Sequence, residues 1–343
     1  MRPVSSSRRS EVRLARIFVV IAVVLAACTA DRPTEDPARP ERTPIEGGRI
    51  RFGVLGEPAT LDPRSSKGSF LTRMLVAPRS SGAFRIVRRV PGLKIDYEAV
   101  RSSQQNPNLK GLSVFFVASI DILVELLERG KLDAALIPST VNLEERFESK
   151  EVEIEGELGW ESIELDLGGI ADRSTREAIA GAIDRATLEE GLIRDDGRIT
   201  DTLTPGPSPR QADGPFRRPP RRSGGGVRLA LAAPEEDELL LLLQRALHDQ
   251  LEAAGFVVDV VTIDSRIFYG EWDNTDPVEI ALRRRFGGPG LPERNEELRI
   301  LTALPLFQVE SFLAWRPHVL GLAVNPTLHG PLRNAHEWAV TSE

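Results

Sequence analysis

The chain has 343 residues, of which 41% are hydrophobic and 28% charged, and its formal net charge is -7. This composition is typical of a folded chain that is long enough for two domains. The negative charge argues against nucleic-acid binding, the single cysteine excludes an internal disulfide, and four scattered histidines argue against a histidine-based metal site. We therefore expect no cofactor, no metal and no nucleic-acid partner.

Residues 1–27 have the pattern of an export signal peptide. Five arginines precede an apolar run at residues 17–27, which is too short to cross a bilayer as a helix. The run ends in Leu25-Ala26-Ala27-Cys28, which resembles the lipobox of bacterial lipoproteins. The resemblance implies lipid attachment, including palmitate, at Cys28, and a location on the extracytoplasmic face of the cell membrane. A signal peptide that happens to contain a cysteine is the alternative.

The segment after the lipobox is predicted to be a flexible tether. Residues 28–47 alternate proline with charged residues and contain too little apolar surface to form a core. The sequence thus separates a membrane attachment point from a folded body that begins near residue 48.

Two distant segments of the folded body have a strand, helix, strand pattern. In residues 111–138, an apolar run is followed by Ser119 as a helix cap, by apolar residues at helical spacing, and after Gly130 by a second apolar run. Residues 227–263 repeat this order, with Pro234 opening the helix. Such units favour parallel strands, so the sequence predicts an α/β chain with two lobes.

Several further segments, taken in order, resemble one protein family. A strand at residues 49–54 leads to Thr60-Leu61-Asp62-Pro63, and residues 176–185 read REAIAGAIDR, a helix that Asp172 or Ser174 can cap. Residues 81–87, 128–133 and 305–338 add shorter similarities. Together they resemble the bacterial extracellular solute-binding proteins, family 5, of peptide and nickel ABC transporters.

The resemblance implies a two-lobed fold of the periplasmic-binding-protein type II, with mixed sheets. Residues 48–150 and 300–343 would form the first lobe and residues 158–298 the second. The chain would cross between lobes near residues 156–160 and 287–293, where glycines suit a hinge.

The sequence also departs from the family pattern. The long block that family members carry after the Thr-Leu-Asp-Pro turn is absent here, so we expect the extra small domain of the family to be missing. Residues 204–226 are rich in proline, glycine and arginine and are predicted to form a mobile loop, with a basic patch as the alternative.

The resemblance places the ligand between the lobes. Where the family has an acidic residue that holds an amine, this chain has Arg283-Arg284-Arg285-Phe286. Arginines that face the cleft would favour an anionic ligand, and solvated arginines at an exposed strand end are the alternative. Aromatic residues could form a pocket wall or belong to the core. The candidate ligand-binding residues are Trp160, Arg284, Arg285, Phe286 and Trp315, with Phe307 as a further aromatic candidate.

The resemblance implies a monomeric, membrane-tethered substrate-binding lipoprotein that captures a peptide or other small solute and delivers it to the permease subunits of an ABC transporter. A surface sensor or interaction lipoprotein, derived from such a protein but no longer used for uptake, is the alternative. No nucleophile elbow, phosphate-binding loop or paired carboxylates suggest catalysis, so the sequence is not predicted to be an enzyme.

Overall fold

A computed structural model describes residues 43–58, 60–64, 70–148, 151–194, 197–203, 225–264, 267–268, 278–286, 294–325, 327 and 329–341. Residues from Pro44 onward form one compact unit. The predicted signal peptide, Cys28 and the tether up to residue 42 lie outside the described residues, as do residues 204–224 of the loop predicted at 204–226.

Strands dominate the described part of the chain. They are β1 (Pro44–Ile45), β2 (Arg49–Leu55), β3 (Phe84–Val90), β4 (Lys94–Ala99), β5 (Gly111–Val117), β6 (Ala134–Pro138), β7 (Glu153–Asp166), β8 (Gly197–Ile199), β9 (Arg228–Pro234), β10 (Val257–Ile263), β11 (Ile280–Phe286), β12 (Ala303–Trp315), β13 (Val319–Leu320) and β14 (Ala339–Thr341). The α-helices are α1 (Phe70–Ser80), α2 (Ile120–Glu128), α3 (Arg173–Ala182), α4 (Arg185–Leu188), α5 (Glu238–Ala253) and α6 (Asn295–Ile300). Short 3-10 turns lie at Glu144–Arg146 and Pro331–Asn334, and a π turn at Glu189–Ile193.

Two long antiparallel strands, β7 and β12, join all parts of the main sheet. Within the described residues this eleven-stranded sheet has the order β10-β9-β11-β7-β12-β6-β2-β5-β4-β3, and β8 also pairs with β12. Strand β6 pairs with β12 over Ser311–Trp315, whereas β8 pairs with it over Phe307–Val309. Strand β12 therefore pairs with β7 along most of its length, but on its other edge it pairs with β8 before residue 310 and with β6 after it.

Two large buried clusters show that the continuous sheet serves two lobes. The first cluster includes Ile163 of β7 and Val309 of β12 and packs under α5. The second includes Leu313 of β12 and packs under α1, and a third cluster under α2 contains Ala314. The side chains of β12 thus contribute to the first buried cluster up to Val309 and to the second and third from Leu313 onward. The two-lobed α/β fold with mixed sheets is confirmed, while the exact lobe boundaries stay a prediction.

The first predicted unit is present as expected. Strand β5, helix α2 and strand β6 follow one another, and β2 lies between the two strands and parallel to both. The Ser119 hydroxyl accepts a hydrogen bond from the Ile122 N–H at 3.3 Å, which caps the helix. Gly130 has a φ of +62°, the left-handed conformation that ends a helix at low cost.

The second predicted unit is also present, but its helix begins later than expected. Strands β9 and β10 are parallel, and Pro234 belongs to β9, where it pairs with Ile263. The helix begins at Glu238, because the Asp237 carboxylate accepts a hydrogen bond from the Leu240 N–H at 3.2 Å. An aspartate cap therefore sets this boundary, not the proline.

The predicted helix at residues 176–185 divides into two. Asp172 caps α3 by accepting from the Thr175 N–H at 2.8 Å, and α3 ends at Ala182. Asp184 then accepts from the N–H groups of Ala186 and Thr187 and starts α4. A second capping residue inside an apolar pattern explains the break.

Asp133, immediately before β6, is predicted to make stability depend on acid pH. Burial alone would raise its pKa, but hydrogen bonds from His318 and Arg51 outweigh this and set the pKa at about 2. Because the folded-state pKa lies below the unfolded one, the ionised form stabilises the fold above pH 4, and this contribution disappears as the pH falls towards 2.

We expect Asp133→Asn to lower the free energy of unfolding at pH 7 by about 2 kcal/mol. The difference from wild type should shrink between pH 4 and pH 2, which urea denaturation at several pH values can measure. Asp249→Asn, at an exposed position on α5, is the control and should have little effect. A constant difference at every pH would contradict the assignment.

Candidate functional site

The site begins with an irregularity in β7 at the point where the chain passes between lobes. In the ladder with β12, Glu161 pairs with Val309 and Leu158 pairs with Glu310. Gly159 and Trp160 are therefore extra residues on the β7 side, as in a β-bulge. This bulge lies within the crossing predicted at residues 156–160. The second predicted crossing, at 287–293, lies outside the described residues, and β12 is the strand that returns.

A buried ion network lies beside the bulge. The Arg284 guanidinium donates to Glu161 at 2.6 Å, to Asp237 at 2.5 and 3.0 Å, and to the Ser139 carbonyl at 2.6 Å. The three charged side chains are only 3%, 0% and 2% exposed. The Ser311 hydroxyl donates to the second oxygen of Glu161 at 2.7 Å. The network therefore joins β11, β7, β12, the cap of α5 and the end of β6.

The network places two carboxylates around one guanidinium. Burial and the nearby Asp237 raise the pKa of Glu161, while Arg284 and Ser311 lower it, and the net direction is upward. Arg284 is therefore not one of the solvated arginines of an exposed strand end, which was the alternative considered for it. A ligand could bind its guanidinium only by displacing Glu161 or Asp237. The position of Arg284 indicates a structural role at the junction of the lobes.

Arg285 points to the opposite face of the sheet and is more accessible. Its side chain is 42% exposed, and its Nε donates to Glu164 at 3.0 Å. Glu164 is fully buried and also accepts two hydrogen bonds from Arg294, at 2.8 and 2.9 Å. Glu164 would therefore keep a cationic partner if Arg285 turned towards a ligand.

A polar row runs across four strands at the same level. Strand register aligns Arg198 with Gln308, Gln308 with Ser162, and Ser162 with Arg285. Arg198 donates twice to the Gln308 side-chain oxygen, at 3.2 and 2.8 Å, and Gln308 and Ser162 are buried. The ends of this polar row are three strand spacings apart, roughly 14 Å. The two arginines at the ends of the row are partly exposed and could bind a small ligand by charge and hydrogen bonds, whereas Gln308 and Ser162 are bonded within the sheet.

A second link between the lobes lies near this level. Arg146, which follows β6, pairs with Asp121 of α2 at 2.5 Å and with Glu238 of α5. Together with the hydrogen bond from Arg284 to the Ser139 carbonyl, this pair fixes the end of β6 against the first turn of α5. The lobes are therefore joined by polar contacts as well as by β7 and β12.

The structure brings four of the five predicted site residues to the crossing. Trp160 lies in the bulge, and Arg284, Arg285 and Phe286 end β11, where Phe286 pairs with Glu161. The fifth, Trp315, lies elsewhere, at the end of β12. Ligand contact by these residues stays a prediction.

Trp315 pairs with Ala134 and Glu153 and packs against the second core, about 13 Å along the strand from Ser311. Phe307 is fully buried in the first core, the alternative role considered for it.

Sequence reasoning missed Glu161 and Asp237, although a signal for Glu161 exists. Along β7, Glu161 is in phase with Ile163 and Leu165, which are both core residues. An acidic residue in the apolar phase of a strand indicates a buried partner of opposite charge. Arg284 is likewise in phase with Leu282 along β11.

The described residues contain no group of three His, Cys, Asp or Glu side chains that could hold a metal ion. Nor does this part of the chain include a helix with the length and apolar character needed to span a bilayer.

Two lobes with separate cores, joined by two crossing strands with polar residues at the crossing, define the class of two-lobed solute-binding proteins. Residues 52–292 match the family "Bacterial extracellular solute-binding proteins, family 5 Middle". The chain belongs to this family, as the motifs of its sequence predicted. A sequence comparison with curated proteins finds no match.

Solved structures share the fold at low sequence identity. The oligopeptide-binding protein AppA from Bacillus subtilis, in complex with a nonapeptide, is 12% identical over 76% of this chain and 66% of its own, with a TM-score of 0.60. A dipeptide-binding protein from Pseudoalteromonas sp. SM9913, in complex with Met-Leu, is 11% identical over 76% of this chain and 64% of its own, with a TM-score of 0.58.

NikA from Staphylococcus aureus, in complex with Ni(L-His)2, is 12% identical over 75% of this chain and 68% of its own, with a TM-score of 0.57. The chain thus spans about two thirds of the length of these relatives. This difference in length fits the predicted absence of the extra small domain.

Proposed function

We propose that this protein is the membrane-tethered substrate-binding lipoprotein of an ABC transporter, which captures a peptide or other small solute between its lobes and delivers it to the permease. The observation that carries the proposal is the double crossing of β7 and β12 between two cores, with the polar row at that level. Two strands of this kind allow the lobes to close on a ligand by small rotations.

We further propose that the preferred solute carries a carboxylate, such as the C-terminus or an acidic side chain of a peptide. Arg285 supports this, because it is accessible and its present partner Glu164 retains Arg294. A guanidinium binds a carboxylate through two parallel hydrogen bonds, which suits planar recognition.

A thermal-shift screen of acidic, neutral and basic peptides on the purified protein tests the proposal. A ligand at 100 times its Kd stabilises the folded state by about 2.7 kcal/mol, so a bound peptide should raise Tm by several degrees. We expect Arg285→Ala to weaken binding of acidic peptides about tenfold, as measured by calorimetry, because a charge-assisted hydrogen bond is lost.

The control for this variant is Arg299→Ala, which removes an exposed arginine from α6 and should leave affinity unchanged. Equal affinity of wild type and Arg285→Ala for acidic peptides would contradict the carboxylate assignment. Absence of any shift with the whole panel would contradict uptake and favour the sensor or interaction lipoprotein.

The proposed anchor rests on the lipobox at Leu25–Cys28. Two acyl chains on one cysteine hold a protein stably on a membrane, whereas a single chain does not. Cys28→Ala is therefore expected to abolish palmitate labelling in the bacterial cell and to shift the protein out of the membrane fraction. Unchanged labelling of this variant would rule out lipid attachment at Cys28.

A further inference from the structure

The two ends of the main sheet differ in how their edges are protected. Among the strands of the described residues, β3 forms one edge of this sheet and β10 the other. An unpaired edge presents backbone N–H and C=O groups that can pair with another chain, and proteins prevent this with charged residues and bulges.

Strand β3 carries both kinds of protection. Its pairing with β4 is irregular between Ile86 and Arg88, which interrupts the regular edge. Arg85, Arg88 and Arg89 place three arginines within five residues, of which Arg85 is paired with Glu98 at 3.1 Å and Arg89 with Glu57 at 2.7 Å. The irregular pairing and the row of charged side chains therefore make this end of the sheet a poor template for pairing with another strand.

Strand β10 has no bulge in its pairing with β9 and only one charged residue. Its residues, Val257–Ile263, pair with Arg228–Pro234 without any shift in register. The sequence VVDVVTI has high β-propensity, and its one charge, Asp259, is paired with Arg228 at 3.3 Å. Val260 is 48% exposed. This edge is therefore regular, apolar and locally neutral, although the whole chain carries a net charge of -7.

The backbone groups that point outward from β10 form a symmetric set. The Val257 N–H donates to the Val227 carbonyl, and the Ile263 carbonyl accepts from the Glu235 N–H, so the odd-numbered residues face β9. In a parallel pair the alternate residues face away, and here these are Val258, Val260 and Thr262. Their centre is Val260.

We propose that β10 is the contact surface of a homodimer, in which two copies of this strand pair antiparallel about a two-fold axis at Val260. Val260 would face its own copy, and Val258 would face Thr262 of the other chain. All outward N–H and C=O groups of these three residues would then be paired, because the two-fold rotation brings each of these groups opposite its partner in the other chain.

The side chains favour the same arrangement. Facing residues would be Val with Val and Val with Thr, which are β-branched pairs that stabilise antiparallel strands. Asp259 would lie opposite Val261 of the other chain, not opposite its own copy. The proposal replaces the monomer expected from the sequence and does not depend on which solute is bound.

Sedimentation velocity of the full-length chain over a concentration series tests the proposal. Wild type should shift from monomer to dimer as concentration rises. Val260→Lys should weaken association by about 100-fold, because two like charges would face each other at the axis. Val260→Glu should do the same. A mixture of the two variants should restore a dimer that contains one copy of each, because the facing charges are then opposite.

Val87→Lys is the matched control, since Val87 is 45% exposed on the opposite edge strand, and this variant should dimerise like wild type. Circular dichroism checks that each variant is folded. We expect all of them to fold, because Val260 and Val87 are both exposed. A wild-type chain that stays monomeric over the whole series would overturn the proposal. So would a dimer that Val260→Lys leaves intact.

Discussion

Arg284→Ala is expected to lower the free energy of unfolding by about 3–5 kcal/mol, since it leaves Glu161 and Asp237 buried without their cation. Unpaired buried charges are costly because the low-polarity interior does not solvate them. The loss also removes the hydrogen bond to the Ser139 carbonyl, which joins the two lobes. Urea denaturation followed by circular dichroism measures the change.

Arg285→Ala is the matched control for this prediction. It removes the next arginine in the same strand, but Glu164 keeps Arg294, so the loss should stay within about 1 kcal/mol. A triple variant, Arg284→Met with Glu161→Gln and Asp237→Asn, should recover most of the stability lost by Arg284→Ala, because no buried charge remains. Equal costs for Arg284→Ala and Arg285→Ala would refute the role of the network.

The local parts of this fold could be predicted because their signals lie within a few residues of one another. Ser119 and Gly130 bound helix α2, and the strand predicted at residues 49–54 and the one predicted from the apolar run at Leu112–Val117 are both present. The boundary at Asp237 was missed because Pro234 is also a valid helix start, and only the pairing of Pro234 with Ile263 decides between them.

The candidate site could be predicted only in part, because its pairs are distant in the chain. Arg284 and Glu161 are 123 positions apart, so no local pattern reports their contact. Period-two alternation does separate the arginines, since Arg284 faces the core while Arg283 and Arg285 face the other side of the sheet. Treating them as one charged run hid this difference.

Trp338→Ala is expected to lower the free energy of unfolding by about 3–5 kcal/mol, as is typical for removing a large aromatic side chain from a core. Trp338 is fully buried and stacks on Phe52, with ring centroids 5.7 Å apart and an interplanar angle of 28°. It directly precedes β14, which pairs with β1 and β13. Its loss should therefore also loosen these strands, which hydrogen exchange at Ala339–Thr341 would detect.

Trp338→Phe separates packing from hydrogen bonding at this position. The Trp338 indole N–H is buried and has no hydrogen-bond partner in the described part of the chain. Phenylalanine keeps the stacking on Phe52, leaves a smaller cavity and removes an unsatisfied donor, whose burial costs about 1–3 kcal/mol. We expect this variant to lose less than half of what Trp338→Ala loses in urea denaturation. A loss as large as that of Trp338→Ala would mean that the indole N–H has a partner and contributes to stability.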